Sequence, residues 1–484
     1  MVPILHSDKI RELYKQTLLS KGMSNLELIQ QAVESLFHAF AFKKKKLYVI
    51  LCGTGNNGAD GLYLAKVLAS KKIPHQVIIL DYGNSHSLDF DTLWAEWKDS
   101  KTIKNFKTHN EFEHAIEIIK SENQEIEIIE CILGNGINKA LKDDFKKTAL
   151  YLNQINLPIY SIDMPMGLSS QAEQEGVFVR CTHCYTFEFG RLSLLNPENK
   201  ISFSVVPIGI NHPNPNESLG YILESQDVST PKKDAFAHKY NHGHVLIIGG
   251  SKGMYGAPIL SSLASYKSGA GLVSSLIPNQ GHLALYSHLP EALAIDGGED
   301  KIVQSSEAKK NYQAIAVGPG LGSHIQTQEW LLGFLSEKPN SPLVLDADAI
   351  NILSIHNSWS LIPPLSILTP HEGEFKRMVG SWANFTEKIQ KLKDFAVKYQ
   401  CIIVLKGKYS LICDNRGELF FNIIGSISLA TAGSGDILTG LIAGYLAQGF
   451  SPLFSAQKAV WEHGKAGFLA NGKNLLAREL LELV

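Results

Sequence analysis

Asp436 stands inside ATAGSGDILTG (430–440), a run of small residues that passes straight into an apolar helical pattern. Small residues let a backbone turn tightly and approach a ligand closely. Amide N–H groups at the start of the following helix, with the helix dipole behind them, suit a phosphate. A carboxylate within that turn suits a base beside the phosphate. Asp also caps helices with no further role, so the turn needs partners from elsewhere. Three strand ends supply candidates: GPGLG (318–322) after AIAV, DADAIN (346–351) after PLVL, and TPHEGEF (369–375) after SIL, which holds His371. LKGKYS (405–410) adds backbone amides, lysines and the Ser410 hydroxyl. Polar residues directly after buried parallel strands lie at the mouth of an open α/β sheet, where ligands bind. His371 has a plainer alternative as a helix-start residue, and LKGKYS as a basic hairpin turn.

The first half carries a second constellation. GTGNNGADGLYLA (53–65) lies between an apolar strand and a helix. Its glycines allow the turn, its helix start suits pyrophosphate, and its Asn side chains offer donors and acceptors. The spacing is not G-x-G-x-x-G, which argues against an ordinary dinucleotide dehydrogenase. ECILGNGINKAL (130–141) is another Gly-rich turn after a strand, and SIDMPMGLSS (161–170) ends a third strand with Asp163 at its tip. Three such ends can converge on one crevice.

These residues need parallel sheets covered by helices, and the periodicity predicts them. Strands are expected at 47–52, 75–80, 126–133, 158–163, 184–189 and 201–208, after an N-terminal helical stretch over roughly 7–41. A second series is expected at 244–250, 272–278, 312–320, 342–350, 365–375, 401–407, 410–414 and 419–423, the last three as a local antiparallel edge. INHPNPNES (210–218) reads as a linker and places the domain boundary between about 212 and 228, giving domains 1–215 and 225–484. A length of 484 residues suits two domains.

A net charge of −2 offers no basic stripe for nucleic acid, and apolar runs of strand length offer no membrane span. The start has no signal-peptide pattern. Six scattered cysteines, Cys52, Cys131 and Cys401 among them in strand-like runs, predict reduced buried thiols in the cytoplasm. The lone C-x-x-C of Cys181 and Cys184 lacks the second pair that zinc wants.

The second half resembles the ribokinase-like NAD(P)H-hydrate dehydratases through HGHVLIIGGSKGMYGAPILSSLASYKSGAGLV (242–273), GPGLG, LDADAIN, LTPHEGEF, LKGKYS and ATAGSGDILTG, which occur in family order. That resemblance implies a nucleotide, ADP or ATP, held by Lys406, Gly407, Lys408, Tyr409, Ser410 and Gly435. It implies hydrated NADH or NADPH against Ala257, Gly320, His371 and Asp436, with Mg²⁺ accompanying the nucleotide and a homo-oligomer, a tetramer or larger. The 53–65, 130–141 and 161–170 segments resemble the Rossmann-like NAD(P)H-hydrate epimerases. There the likeness implies substrate binding by Asn56, Asn57, Gly58, Ala59 and Asp60, and by Gly134, Asn135, Gly136, Ile137, Asn138, Lys139 and Ala140. It gives Asp163 a proton-shuttling role, and it implies K⁺ at Asn57, Glu130 and the turn ending at Gly167, with Met166 contributing only its carbonyl. Both halves are then three-layer αβα sandwiches.

Departures from the epimerase pattern are specific. Met166 replaces a usual Ser, Glu130 a usual Asp, Lys139 a frequent Arg, and LIQQAVESL (28–36) lacks the Met-Glu-x-Ala-Gly run. The rival reading is a ribokinase-like small-molecule kinase with a non-catalytic binding or scaffold domain ahead of it.

Overall fold

The structure is a computed structural model that describes residues 1–83, 85–97, 103–134, 140–169, 173, 176–230, 236–303 and 311–484. Its contacts divide the chain into Val2–Leu219 and a unit of Gly220–Val484 together with Met1.

Residues 2–219 build a seven-stranded sheet, wholly parallel, in the order 103–106, 75–80, 47–52, 126–131, 159–162, 183–187, 203–206. Expected strands at 47–52 and 75–80 match residue for residue. The edge strand Ile103–Phe106 escapes the periodicity because its middle residues are exposed and polar. The N-terminal stretch is two helices, Ser7–Lys21 and Asn25–Ala39, the second started by a Ser24–Glu27 capping box. From the central strand Leu47–Cys52 the chain winds outward to 103–106, then returns to Ile126–Cys131 on the other side. That reversal opens a crevice beyond the carboxyl ends of these two strands. The Gly-rich turns at 53–58 and 132–134 leave the sheet there. Backbones cross so closely that a Cβ on Gly53 would lie 2.0 Å from the carbonyl oxygen of Ile132.

The second unit repeats the logic. Its strands run in the order 220–222, 419–422, 410–413, 402–405, 367–368, 343–345, 314–317, 244–248, 272–277, 293–296. Ser410–Cys413 runs antiparallel to both its neighbours, Ile402–Leu405 and Leu419–Asn422, and Gly220–Ile222 lies parallel beyond the latter. The chain enters at His244–Ile248, winds out to Leu293–Asp296 and returns to Ala314–Val317, so this sheet also has a reversal point. Strands expected at 342–350 and 365–375 are shorter, Leu343–Leu345 and Ile367–Leu368. Their polar remainders start helices, Asp348–His356 and Glu372–Val379. For the second of these, the His371–Glu374 capping box marks where the strand gives way to the helix.

Helices Gly256–Ser268 and Ser434–Ala447 pack face to face over the core. The contact needs bare backbone: a Cβ on Gly440 would stand 2.1 Å from the Ser261 carbonyl oxygen, which is main chain and cannot swing aside. Gly440→Ala is expected to cost about 1–3 kcal/mol through overpacking. Thermal unfolding of the variant checks it, and an unshifted midpoint would contradict the packing described.

All six cysteines are free thiols, five of them buried. No described helix is long and apolar enough to cross a membrane.

Candidate active sites

In the second unit a cavity of about 660 Å³ opens among the ends of the strands and the start of helix Ser434–Ala447. Its wall includes Lys406, Gly407, Lys408, Ser410 and Gly435 from the expected nucleotide set, and His371. Tyr409 does not line it; its ring lies 5.8 Å from Lys408 Nζ. Ile424, Ile427, Leu429, Leu438 and Val460 make the rest of the wall apolar, so one end suits a flat base and the other a charged tail.

The charged end has a definite construction. Lys406 Nζ donates to Asp346 Oδ1 at 2.9 Å, and Thr439 Oγ1 donates to Asp346 Oδ2 at 2.7 Å. Asp346 is 2% exposed, so both its oxygens are spent on holding neighbours in place. A methyl placed on Gly435 would lie 3.4 Å from Lys406 Nζ. The ammonium therefore sits over the turn whose amides begin the helix, a cation and a helix N-terminus aimed at one spot. Burial works against the Lys406 charge, but Asp346, Glu374 and Asp436 outweigh it and raise its pKa. For Asp436, burial together with Asp346 and Asp348, opposed by Lys406, pushes the carboxyl up to about 7. A carboxyl poised there is half ionised at neutral pH and suited to accept a proton.

His371 is the helix-start residue of one reading and also stands at the cavity. It caps helix Glu372–Val379, with Nδ1 accepting from the Glu374 amide at 3.1 Å while the Glu374 carboxylate accepts from the His371 amide at 2.8 Å. The same residue bridges to Lys406 and lines the cavity. Ala257, Gly320 and Asp436 do not line this cavity; Ala257 and Gly320 lie together, since a methyl on Gly320 would stand 3.2 Å from the Ala257 Cβ. Ser261 Oγ, one turn along the Ala257 helix, donates to the Asp436 carbonyl at 2.8 Å. This links the expected hydrate wall to the Asp436 turn.

Three participants escaped the sequence reading. Asp346 and Thr439 lay within quoted motifs but nothing in their spacing joined them. His463, on helix Pro452–Leu469, bonds Ser434 Oγ through Nε2 at 2.9 Å and lines the cavity. Burial lowers its pKa to about 4, keeping it neutral. No sequence signal marks a histidine that a later helix delivers.

In residues 2–219 three of the expected epimerase residues, Asn57, Gly134 and Asp163, come together at the crevice. Asn57 Nδ2 donates to the Ile162 carbonyl at 3.1 Å, tying the start of helix Asn56–Ser70 to the strand that ends at Asp163. A Cβ on Gly134 would lie 3.0 Å from Asp163 Oδ2 and 3.2 Å from the Asn57 Cβ. Asp163 sits at φ 64°, a strained backbone for a non-glycine residue. Its Oδ1 pairs at 3.1 Å with Nη2 of Arg191, a guanidinium with no exposure at all. Arg191 was not anticipated. Gly58 and Ala59 are buried in the first helical turn, Asn56 is exposed and Ala140 follows the described gap. Asn135, Gly136, Ile137, Asn138 and Lys139 lie outside the described residues.

The oxygens of the expected potassium ligands Glu130, Met166 and Asn57 differ in their partners. Glu130 is fully buried, Oε1 accepting from the Ile132 amide at 2.9 Å and Oε2 from the Met166 amide at 3.1 Å. The Met166 carbonyl accepts from the Val179 amide at 2.9 Å, and the Met166 side chain packs in the core. Glu130 and the Met166 carbonyl each accept backbone N–H groups, while Asn57 Oδ1 is left buried without a hydrogen-bond partner among the described residues. Among the described residues no group of three or more His, Cys, Asp or Glu is placed to hold a metal.

The family model for NAD(P)H-hydrate dehydratase matches residues 245–484, and that for YjeF-related protein N-terminus matches 22–192. A bifunctional NAD(P)H-hydrate repair enzyme of Dictyoglomus turgidum is 30% identical over 93% of this chain and 90% of its own length. The chain belongs to the bifunctional NAD(P)H-hydrate repair enzymes. Another such repair enzyme, from Salinibacter ruber, is 28% identical over the whole of this chain and 95% of its own. A ribokinase-like superfamily protein of Enterococcus faecalis superposes with a TM-score of 0.50 at 30% identity, covering 56% of this chain and 96% of that one. The ribokinase-like expectation for the second half stands. With it goes the repair-enzyme reading, a dehydratase half joined to an epimerase half.

Proposed function

We propose that this chain repairs hydrated NADH and NADPH. Its first half interconverts the R and S epimers at C6, and its second dehydrates the S form with ADP or ATP, releasing phosphate. The observation that carries the dehydratase is Lys406, clamped by Asp346 over the Gly435 turn with Asp436 beside it. Lys406 to Ser410 and Gly435 hold the nucleotide; Ala257, Gly320, His371 and Asp436 hold the hydrated ring.

Hydroxide leaves carbon poorly and phosphate leaves well, which gives the nucleotide its purpose. Asp436 takes the proton of the C6 hydroxyl as that oxygen bonds to the terminal phosphorus and the nucleotide departs. Lys406 and the amides of the 433–436 turn hold the charge on the moving group. The ring-nitrogen lone pair then expels phosphate from C6, and loss of a C5 proton restores the dihydronicotinamide. Mg²⁺ neutralises phosphate charge when bound. Asp346 has both oxygens occupied, and Asp348 accepts from the Gly322 amide at 2.8 Å. The nucleotide's phosphates and water would supply most of the ion's oxygens, leaving Asp436 to act as the base. Potassium, where bound, would take its oxygens from Asn57, Glu130 and the Met166 carbonyl, and no step runs through it.

Free buried thiols support a cytoplasmic enzyme, and resemblance to the dehydratases supports a homo-oligomer, a tetramer or larger.

Racemic hydrate with ADP or ATP is expected to convert completely, with one free phosphate per reduced coenzyme recovered. Asp163→Asn is expected to slow the second half of that conversion to the uncatalysed epimerisation rate, leaving the first half unchanged. Absorbance of the reduced nicotinamide and a phosphate assay follow both. A stable phosphorylated product would identify a kinase instead, and half conversion by the unmodified chain would remove the epimerase.

A further inference from the structure

Ser434 and His463 stand at the charged end of the second unit's cavity, and the mechanism given above uses neither side chain. Ser434 opens helix Ser434–Ala447 and lines the cavity while only 5% exposed. The next residue is Gly435, where a methyl would lie 3.4 Å from Lys406 Nζ. His463 reaches the same wall from helix Pro452–Leu469 and meets Ser434 Oγ through Nε2 at 2.9 Å. That helix is pressed against the end of strand Leu419–Asn422. A Cβ on Gly464 would lie 2.4 Å from Asn422 Nδ2, which donates to the Val460 carbonyl at 3.0 Å. Contacts within one turn of His463 thus hold its backbone, and with it the ring, against the Ser434 hydroxyl.

We propose that Ser434 is a side-chain ligand of the nucleotide's terminal phosphate, and that His463 is the positioning residue that frees its hydroxyl hydrogen for that contact. The proposal rests on reading this cavity as the nucleotide site. A serine hydroxyl has one hydrogen and two lone pairs, and a neutral imidazole has one N–H. The pair can therefore share a hydrogen in two ways. If Oγ donates to the ring, its lone pairs are left facing the phosphate, electron pair against anion. If Nε2–H donates to Oγ, the hydroxyl hydrogen is free for a phosphate oxygen. A bound anion selects the second arrangement. Its two bonds then run in one direction, ring to hydroxyl to phosphate, and strengthen each other.

The charge balance at this end of the cavity favours such a donor. Burial, with the Lys406 charge alongside, keeps the His463 ring neutral. Ser434 thus receives a hydrogen without a second cation being forced against Lys406. The phosphate is met by one ammonium, by the amides of the helix start and by an uncharged hydroxyl whose place is set before the nucleotide arrives.

The test uses the full chain with Mg²⁺. ADP is titrated by calorimetry, and adenosine, which has no phosphate, is measured as a competitive inhibitor of ADP-driven dehydration. Ser434→Ala is expected to weaken ADP about 10- to 100-fold, the range for one hydrogen bond to a charged group. Adenosine affinity should be unchanged, which also shows that the cavity is folded. His463→Leu should reproduce the ADP loss, and His463→Gln, which keeps an N–H donor, should recover most of it. The losses in Ser434→Ala and His463→Leu should not add when combined, because both changes break the same chain of bonds. ADP and adenosine weakened together would mean that the pair only shapes the cavity, and the proposal falls. It falls equally if Ser434→Ala binds ADP normally, or if His463→Gln is no better than His463→Leu. An unmodified chain that binds neither ADP nor ATP brings down the nucleotide reading itself, a result distinct from all of these.

Discussion

Asp436→Asn is expected to lower nucleotide-driven dehydration by about 10²–10⁴-fold, the range for removing a general base, while nucleotide binding largely survives. The same change should make the chain more stable at alkaline pH. The carboxyl's affinity for its proton is raised by burial, from 3.8 to about 7 in the folded chain. The folded state therefore holds a proton that the unfolded state has released. Stability from this group is full below the unfolded value and is lost as pH rises through about 7. At pH 8 the ionised, buried Asp436 costs on the order of 1–3 kcal/mol, which the neutral amide avoids. Thermal unfolding at pH 5 and pH 8 reads this directly: the variant should gain at the higher pH and little at the lower. Turnover follows the opposite logic. In the unmodified enzyme kcat/KM should rise about tenfold per pH unit up to about 7 and level off above. An Asn variant with normal turnover, or one less stable at pH 8, would remove Asp436 from the mechanism given above.

The second large effect is expected at Asp346, which no ligand need touch. Asp346→Asn leaves Lys406 without its counter-charge at a site where the carboxylate is 2% and the lysine side chain 22% exposed. Breaking a buried pair by removing one partner costs about 3–5 kcal/mol, because the surviving charge stays desolvated. Nucleotide KM should rise as well, since the ammonium is released from its place over the Gly435 turn. The control is Lys406→Met in the same chain. If the loss comes from an uncompensated lysine, the double variant should recover part of the stability lost in Asp346→Asn, a non-additivity that a double-mutant cycle measures. Additive losses would mean that Asp346 serves the fold through Thr439 alone. These two acids carry opposite burdens: one is kept reactive at a cost in stability, the other supplies stability by being fully bonded.

Both sheets were legible as alternating apolar runs, because a parallel strand buried on both faces has few other ways to be written. Leu47–Cys52 and His75–Leu80 are such strands, buried along nearly their whole length. Ile103–Phe106 and Leu293–Asp296 are edge strands with exposed residues and were not legible for the same reason. The Gly-rich turns were legible too, as was Asp436, since a turn that must cross another backbone or seat a phosphate admits few residue types. What local pattern could not give was partnership. Glu130 was expected as an ion ligand, and nothing in the sequence showed that it also satisfies the amides of Ile132 and Met166, as buried N–H groups must be paired.

The residues that do chemistry and their places at strand ends were thus written in order along the chain, each within a few positions of an apolar run that dictates its direction. Their charge states were not. Asp436 near neutrality, Lys406 held charged and Asp163 ion-paired each depend on a neighbour far away in sequence, Asp346 or Arg191. Hydrophobic periodicity is a local property and survives in one dimension. Desolvation and Coulomb interaction act through space, over a few ångströms that only the folded chain defines.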